Sequence, residues 1–104
     1  MARSVVFAPE ALADLRSLYD IIADASLPTR AFDYVEGLRR YCLGFADFPE
    51  RGTQRDAIRP GLRTLGYRRR VTVAFHVTER EVVIDRLLYG ERDLEGLLRE
   101  DDDS

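Results

Sequence analysis

The side chains able to move protons or hold metals are few. The chain has one His (His76), one Cys (Cys42) and no Lys. That inventory provides no metal-ligand cluster, and Cys42 has no partner for an intramolecular disulfide. Gly52, Gly61 and Gly66 lack the spacing of a phosphate loop and read as turn or bulge positions. His76 and Tyr89 are left as proton-transfer candidates. His76 falls on the less apolar side of an alternating run, an ordinary place for a solvent-facing imidazole. Tyr89 closes an apolar run, and an edge-of-core aromatic is the simpler reading. No catalytic residue is assigned, and neither metal nor cofactor is expected.

Charge is the stronger signal. Residues 51–70, RGTQRDAIRPGLRTLGYRRR, hold seven arginines against the single acid Asp56, a local net of +6 in a chain whose formal net charge is −3. Arg51, Arg55, Arg59 and Arg63 step by four, as a basic helical stripe would. Gly52, Pro60 and Gly61 argue against a continuous helix there. The stretch therefore reads as a loop feeding a strand, then a basic turn at Arg68–Arg70, with the arginines gathered at one rim of a sheet. Proteins that track phosphates usually carry a net basic domain and stacking aromatics. Direct nucleic-acid binding is thus not expected, and an acidic protein surface is. Arg favours such contacts through bidentate pairing with carboxylates.

The elements that position these groups follow from the periodicity. A chain of 104 residues, 45% hydrophobic and 34% charged, is long enough for one core and one domain. Residues 1–99 are assigned to it, with 100–104 as an acidic disordered tail. No apolar run reaches the roughly 20 residues of a membrane span, and no export signal is evident, so the cytoplasm is the expected location. Ser4–Phe7 is a short strand. Pro9 and Glu10 open a helix over 9–25, with Leu12, Leu15, Tyr19 and Ile22 on its apolar face. Pro28 starts a second helix running to Phe48-Pro49. Tyr34, Tyr41 and Phe48 form a second apolar line beside Ala31, Val35, Leu38, Cys42 and Phe45. Beyond residue 60 the period becomes two: a weak strand over 62–67, a half-buried strand over 71–77, a polar turn, and a strand over 82–89. Glu91–Arg99 reads as a short helical tail. The order β-α-α-β-β-β predicts an α+β fold, a helical hairpin packed on a mainly antiparallel four-stranded sheet.

Several strings in this order resemble the ParE branch of the ParE/RelE toxin superfamily of type II toxin–antitoxin modules. Phe7-Ala8-Pro9-Glu10-Ala11 with Asp14-Leu15 is similar to the family's opening strand and helix. Ala31 with Tyr34-Val35 resembles its second helix. Phe48-Pro49, Gly52 and Arg59-Pro60-Gly61-Leu62-Arg63 resemble its central loop and first hairpin strand. Arg86-Leu87-Leu88-Tyr89-Gly90-Glu91-Arg92-Asp93 resembles its closing strand. Two positions depart: Tyr89 stands where His is frequent, and Phe75 where Tyr is common.

The resemblance implies a growth-inhibiting toxin that acts on DNA gyrase and is neutralised by a ParD-like antitoxin. Such modules serve plasmid or stress maintenance. The antitoxin would lie along Leu12, Leu15, Tyr19, Ile22, Phe32, Tyr34 and Tyr41. Arg59, Arg63, Arg68, Arg70, Arg86, Tyr89 and Arg92 are candidates for target or partner contact. RelE-like relatives cut messenger RNA on the ribosome with basic residues and a tyrosine, but the matching positions here are Thr72, Gly90 and Gly96. An mRNA endoribonuclease is the alternative, and a non-toxic interaction module of the same fold is a third.

Overall fold

A computed structural model describes residues 3–90. The order is β1 (Ser4–Phe7), α1 (Pro9–Ala25), α2 (Pro28–Leu43), a single 3-10 turn (Gly44–Ala46), β2 (Thr53–Gln54), β3 (Arg63–Tyr67), β4 (Val71–Val77) and β5 (Glu81–Tyr89). The strands form one sheet in the order β1-β5-β4-β3-β2. β1 lies parallel to β5, and every other pair is antiparallel. The sheet thus has five strands rather than the expected four. The extra one, Thr53–Gln54, is too short to show a period of two.

Both helices start at a proline, whose missing N–H is one that a first turn leaves unpaired anyway. α1 buries Ala11, Leu15 and Leu18. α2 buries Ala31, Leu38 and Cys42. Across from them stand Val71, Val73 and Phe75 of β4 and Val82, Ile84 and Leu87 of β5. Phe45, fully buried in the 3-10 turn, closes the core with its ring 4.8 Å from that of Phe75.

α2 ends at Leu43, five residues before the expected Phe48. From Gly44, an exposed position, the chain tightens into the 3-10 turn, which places Phe45 in the core. Phe48 is left past the helix, 72% exposed, rather than on its apolar line.

A bulge breaks the β4–β5 register. Ala74 faces Arg86 while Phe75 faces Ile84, so Asp85 is the additional residue. This resets the alternation of β5, so that Leu87 and Tyr89 take the helix side that Val82 and Ile84 occupy before it. Arg86 is turned toward α1, where Asp14 accepts from its Nε at 2.9 Å, from its second guanidinium nitrogen at 3.2 Å, and from the backbone N–H of Leu87 at 2.8 Å.

Candidate functional site

The arginines of residues 51–70 do not form one rim. β3 separates them into two groups, because Arg63 and Arg68 bracket a five-residue strand, a span of roughly 17 Å at about 3.3 Å per residue.

The first group is tied into the fold. The loop between β2 and β3 folds over the face of the sheet opposite the helices, where Ile58 packs on buried Leu62 and Ala74. Arg59 reaches Asp85 at 3.2 Å, and His76 Nδ1 donates to the same carboxylate oxygen at 2.7 Å. A carboxylate only accepts, so the imidazole proton at this contact sits on Nδ1. Arg55 Nε donates to the hydroxyl of buried Thr64. Arg63 donates to the carbonyl of Arg51, whose own guanidinium lies 4.9 Å from the Phe45 ring centre and 5.6 Å from that of Tyr41. Asp56 accepts the backbone N–H of Gly61 and, among the described residues, pairs with no arginine.

The second group is the turn joining β3 and β4. Arg68 and Arg69 both hold positive φ, 49° and 59°. That conformation favours Gly or Asn in a two-residue hairpin, so both arginines sit in backbone that disfavours them. Arg68, Arg69 and Arg70 are exposed and, among the described residues, have no carboxylate partner. With Gly66, Val71, Thr72, Tyr89 and Gly90 they line an open concavity of about 750 Å³.

Tyrosines support this end of the sheet. The Arg68 guanidinium stands 5.3 Å from the Tyr67 ring centre and 5.9 Å from that of Tyr34. Tyr34 meets Tyr67 edge to face at 5.6 Å. The Tyr41 hydroxyl donates to the Gly66 carbonyl at 3.3 Å. The Tyr34 hydroxyl is shielded from solvent and has no hydrogen-bond partner among the described residues. Burial pushes the pKa of Tyr34 up, with Tyr67 and Tyr89 adding to the rise and Arg68 and Arg70 opposing it. Beside Arg70 and Tyr89, a second and more apolar hollow of about 410 Å³ is lined by Ile21, Ile22, Ala25, Ser26, Arg30 and Tyr34.

The residues expected to meet a partner on the helical layer divide by burial. Leu15 is core, 8% exposed, and serves packing rather than a free surface. Ile22, Tyr34 and Tyr41 are half-buried against the core, and Tyr19 is half-buried. Leu12 and Phe32 are exposed, as is Phe48 of the expected second apolar line and as are Ile21, Leu27 and Leu43, which the periodicity did not single out. Leu27, Leu43 and Phe48 lie at or beyond helix ends, where a period no longer defines a face. Among the arginine candidates, the structure brings Arg68 and Arg70 together with Tyr89. It holds Arg59, Arg63 and Arg86 in scaffold contacts instead. Arg92, the 91–99 helical tail and the acidic tail lie outside the described residues.

Cys42 is fully buried, and burial pushes its thiol up to about 12, so it is neither a nucleophile nor a ligand at neutral pH. Among the described residues no cluster of His, Cys, Asp and Glu could hold a metal ion, and no helix is long and apolar enough to cross a membrane.

Comparison with known proteins places this architecture. No functionally curated protein matches the sequence. Among solved structures, a chain described as the chromosomal ParDE TA system from P. aeruginosa is similar at a TM-score of 0.76 and 26% identity. The similarity covers 86% of this chain and 98% of that one. The profile of the family described as "ParE toxin of type II toxin-antitoxin system, parDE" matches residues 5–94. The chain belongs to that family.

Proposed function

We propose that this ParE-family toxin binds and inhibits DNA gyrase and is held inactive by a cognate ParD-like antitoxin laid along its helical layer. The observation that carries the antitoxin half is the apolar surface on and beside α1 and α2. Leu12, Ile21, Leu27, Phe32 and Leu43 are each at least 39% exposed, together with Phe48. Scattered exposed apolar residues are ordinary, but Leu12, Ile21 and Phe32 on the helices, with Leu27, Leu43 and Phe48 at or past their ends, offer contacts for the apolar face of a partner helix. The gyrase half rests on the family and on the binding character of the residues at hand, with cationic and tyrosine side chains at one end of the sheet. Purified protein added to a gyrase supercoiling reaction should block supercoiling or raise the yield of cleaved DNA. Co-expression with the antitoxin should abolish both effects. Absence of inhibition at saturating protein would overturn the gyrase reading.

One contact favours the ribonuclease alternative. His76 and Asp85 form a dyad of the kind that prepares an imidazole for proton transfer. The same Asp85 oxygen also receives Arg59, a contact that equally serves to hold the loop. Transcripts in a translating extract should stay intact. Cutting that disappears with His76→Ala would shift the function to RNA.

A further inference from the structure

The turn between β3 and β4 gathers three guanidinium groups and, among the described residues, no carboxylate. Elsewhere in the described residues an arginine near a carboxylate is paired with it: Arg39 and Arg40 with Glu36, Arg59 with Asp85, Arg86 with Asp14. At Arg68–Arg70 three guanidinium groups are adjacent in sequence with no carboxylate among them. Two of them occupy backbone conformations that glycine or asparagine would adopt with less strain. Ring contacts with Tyr67 and Tyr34 account for Arg68, but among the described residues no fold contact accounts for arginine at 69 and 70. Behind them lies the Tyr34 hydroxyl, without an acceptor among the described residues. A buried hydroxyl in that state carries a standing penalty that an incoming acceptor would relieve. Arg70 and Tyr89 line both the cationic concavity and the apolar hollow of Ile21, Ile22 and Ala25.

We infer that this end of the sheet is a two-part docking site for an acidic protein segment. Its carboxylates pair with Arg68–Arg70, and a neighbouring apolar side chain enters the hollow beside Ile21 and Ile22. The inference rests on the proposed function only in taking the partner to be protein. A polyphosphate backbone would match the charge but leave the apolar hollow unfilled, and the remainder of the chain is acidic.

The test uses the full chain and a fluorescein-labelled peptide of glutamates flanked by leucines, read by anisotropy. A glutamine-and-leucine peptide and a single-stranded oligothymidylate of equal charge serve as controls. The glutamate peptide should bind and the glutamine peptide should not. Arg68→Gln combined with Arg70→Gln should weaken binding by at least about tenfold, while the equal charge loss of Arg39→Gln with Arg40→Gln leaves it unchanged. Ile21→Ser should weaken it several-fold. Thermal melts confirm that each variant is folded, and Arg68→Lys with Arg70→Lys keeps the charge while removing the planar fork. The inference is overturned by absence of peptide binding, by equal loss in both arginine pairs, or by oligothymidylate binding more tightly with the same arginine dependence. Gyrase assays on the same preparations separate the two readings. Peptide binding without gyrase inhibition supports this site and overturns the target, and inhibition without peptide binding does the reverse.

Discussion

Two arginine-rich segments flank β3, and they use the same side chain in opposite ways. In the segment leading into it, Arg51 before β2, Arg55 and Arg59 in the loop, and Arg63 at the first position of β3 stack on rings, bond a buried hydroxyl, reach a carboxylate or bind a carbonyl. In the turn after it, Arg68, Arg69 and Arg70 stand at the surface without a carboxylate partner among the described residues, and only Arg68 is held, over the Tyr67 and Tyr34 rings. Proximity in sequence and identity of residue type therefore say little about role. What separates the groups is whether the fold supplies acceptors. The loop lies against a sheet face carrying Thr64, His76 and Asp85, whereas the turn projects past the ends of its strands.

The contrast predicts that the loop is sensitive to perturbation and the turn is not. The largest effect is expected from Gly52→Ala. A Cβ there would stand 2.3 Å from the Thr64 carbonyl oxygen, at a φ of +77°. Strain and displaced backbone should lower stability by about 3 kcal/mol or more, read from the urea midpoint. A change below about 1 kcal/mol would mean that the loop is not pinned to β3.

Asp85→Ala should follow. It removes the shared acceptor of Arg59 and His76 and leaves a half-buried guanidinium without its carboxylate, a loss of about 2–3 kcal/mol. Combined with Arg59→Gln, the loss should be less than additive, since both changes break one contact.

Alkali tests whether the two segments share one core. Cys42 ionises in the folded state only near 12, whereas an unfolded thiol ionises near 9.0, so the folded chain holds its proton more tightly. Tyr34 is raised in the same direction. The stabilisation from Cys42 is complete below 9 and is lost progressively as pH climbs from 9 toward 12. The melting temperature should fall across that window, and Cys42→Ala should flatten the decline. Separate transitions for loop and turn, followed by hydrogen exchange, would show two units instead of one.

The smallest effect is expected from replacing Arg68, Arg69 and Arg70 together by Gln. With no ion pair among the described residues to lose, and only the Arg68 ring contacts removed, stability should stay within about 1 kcal/mol. A loss matching that of Asp85→Ala would erase the distinction between the segments.

Much of this architecture was legible in the residues. Pro9 and Pro28 mark both helix starts, and the alternation Val71, Val73, Phe75 marks the core side of β4. The basic turn was also readable, because a dense charge run between two strands has few other places to go. The early end of α2 was not, since Phe45 and Phe48 continue its apolar spacing while Gly44 is a single weak interruption. Nor was the bulge at Asp85, which depends on how β5 meets β4 rather than on composition. The sequence grouped all seven arginines because it carries their charge but not the acceptors opposite them. Those acceptors, Thr64 for Arg55 and Asp85 for Arg59, come from strands later in the chain.

The parallel pairing of β1 with β5 sets an order of events. Ser4–Phe7 finds its hydrogen-bonding neighbour at Glu81–Ile84, far later in the chain. During synthesis the first strand to emerge thus waits for its neighbour until β5 is made, and the residues of the helical hairpin emerge before those of the sheet strands they cover. Contacts so distant in sequence close slowly. A nascent or truncated chain presents the helical layer without a finished sheet end, so a partner reading the helices could engage before the arginine turn is in place.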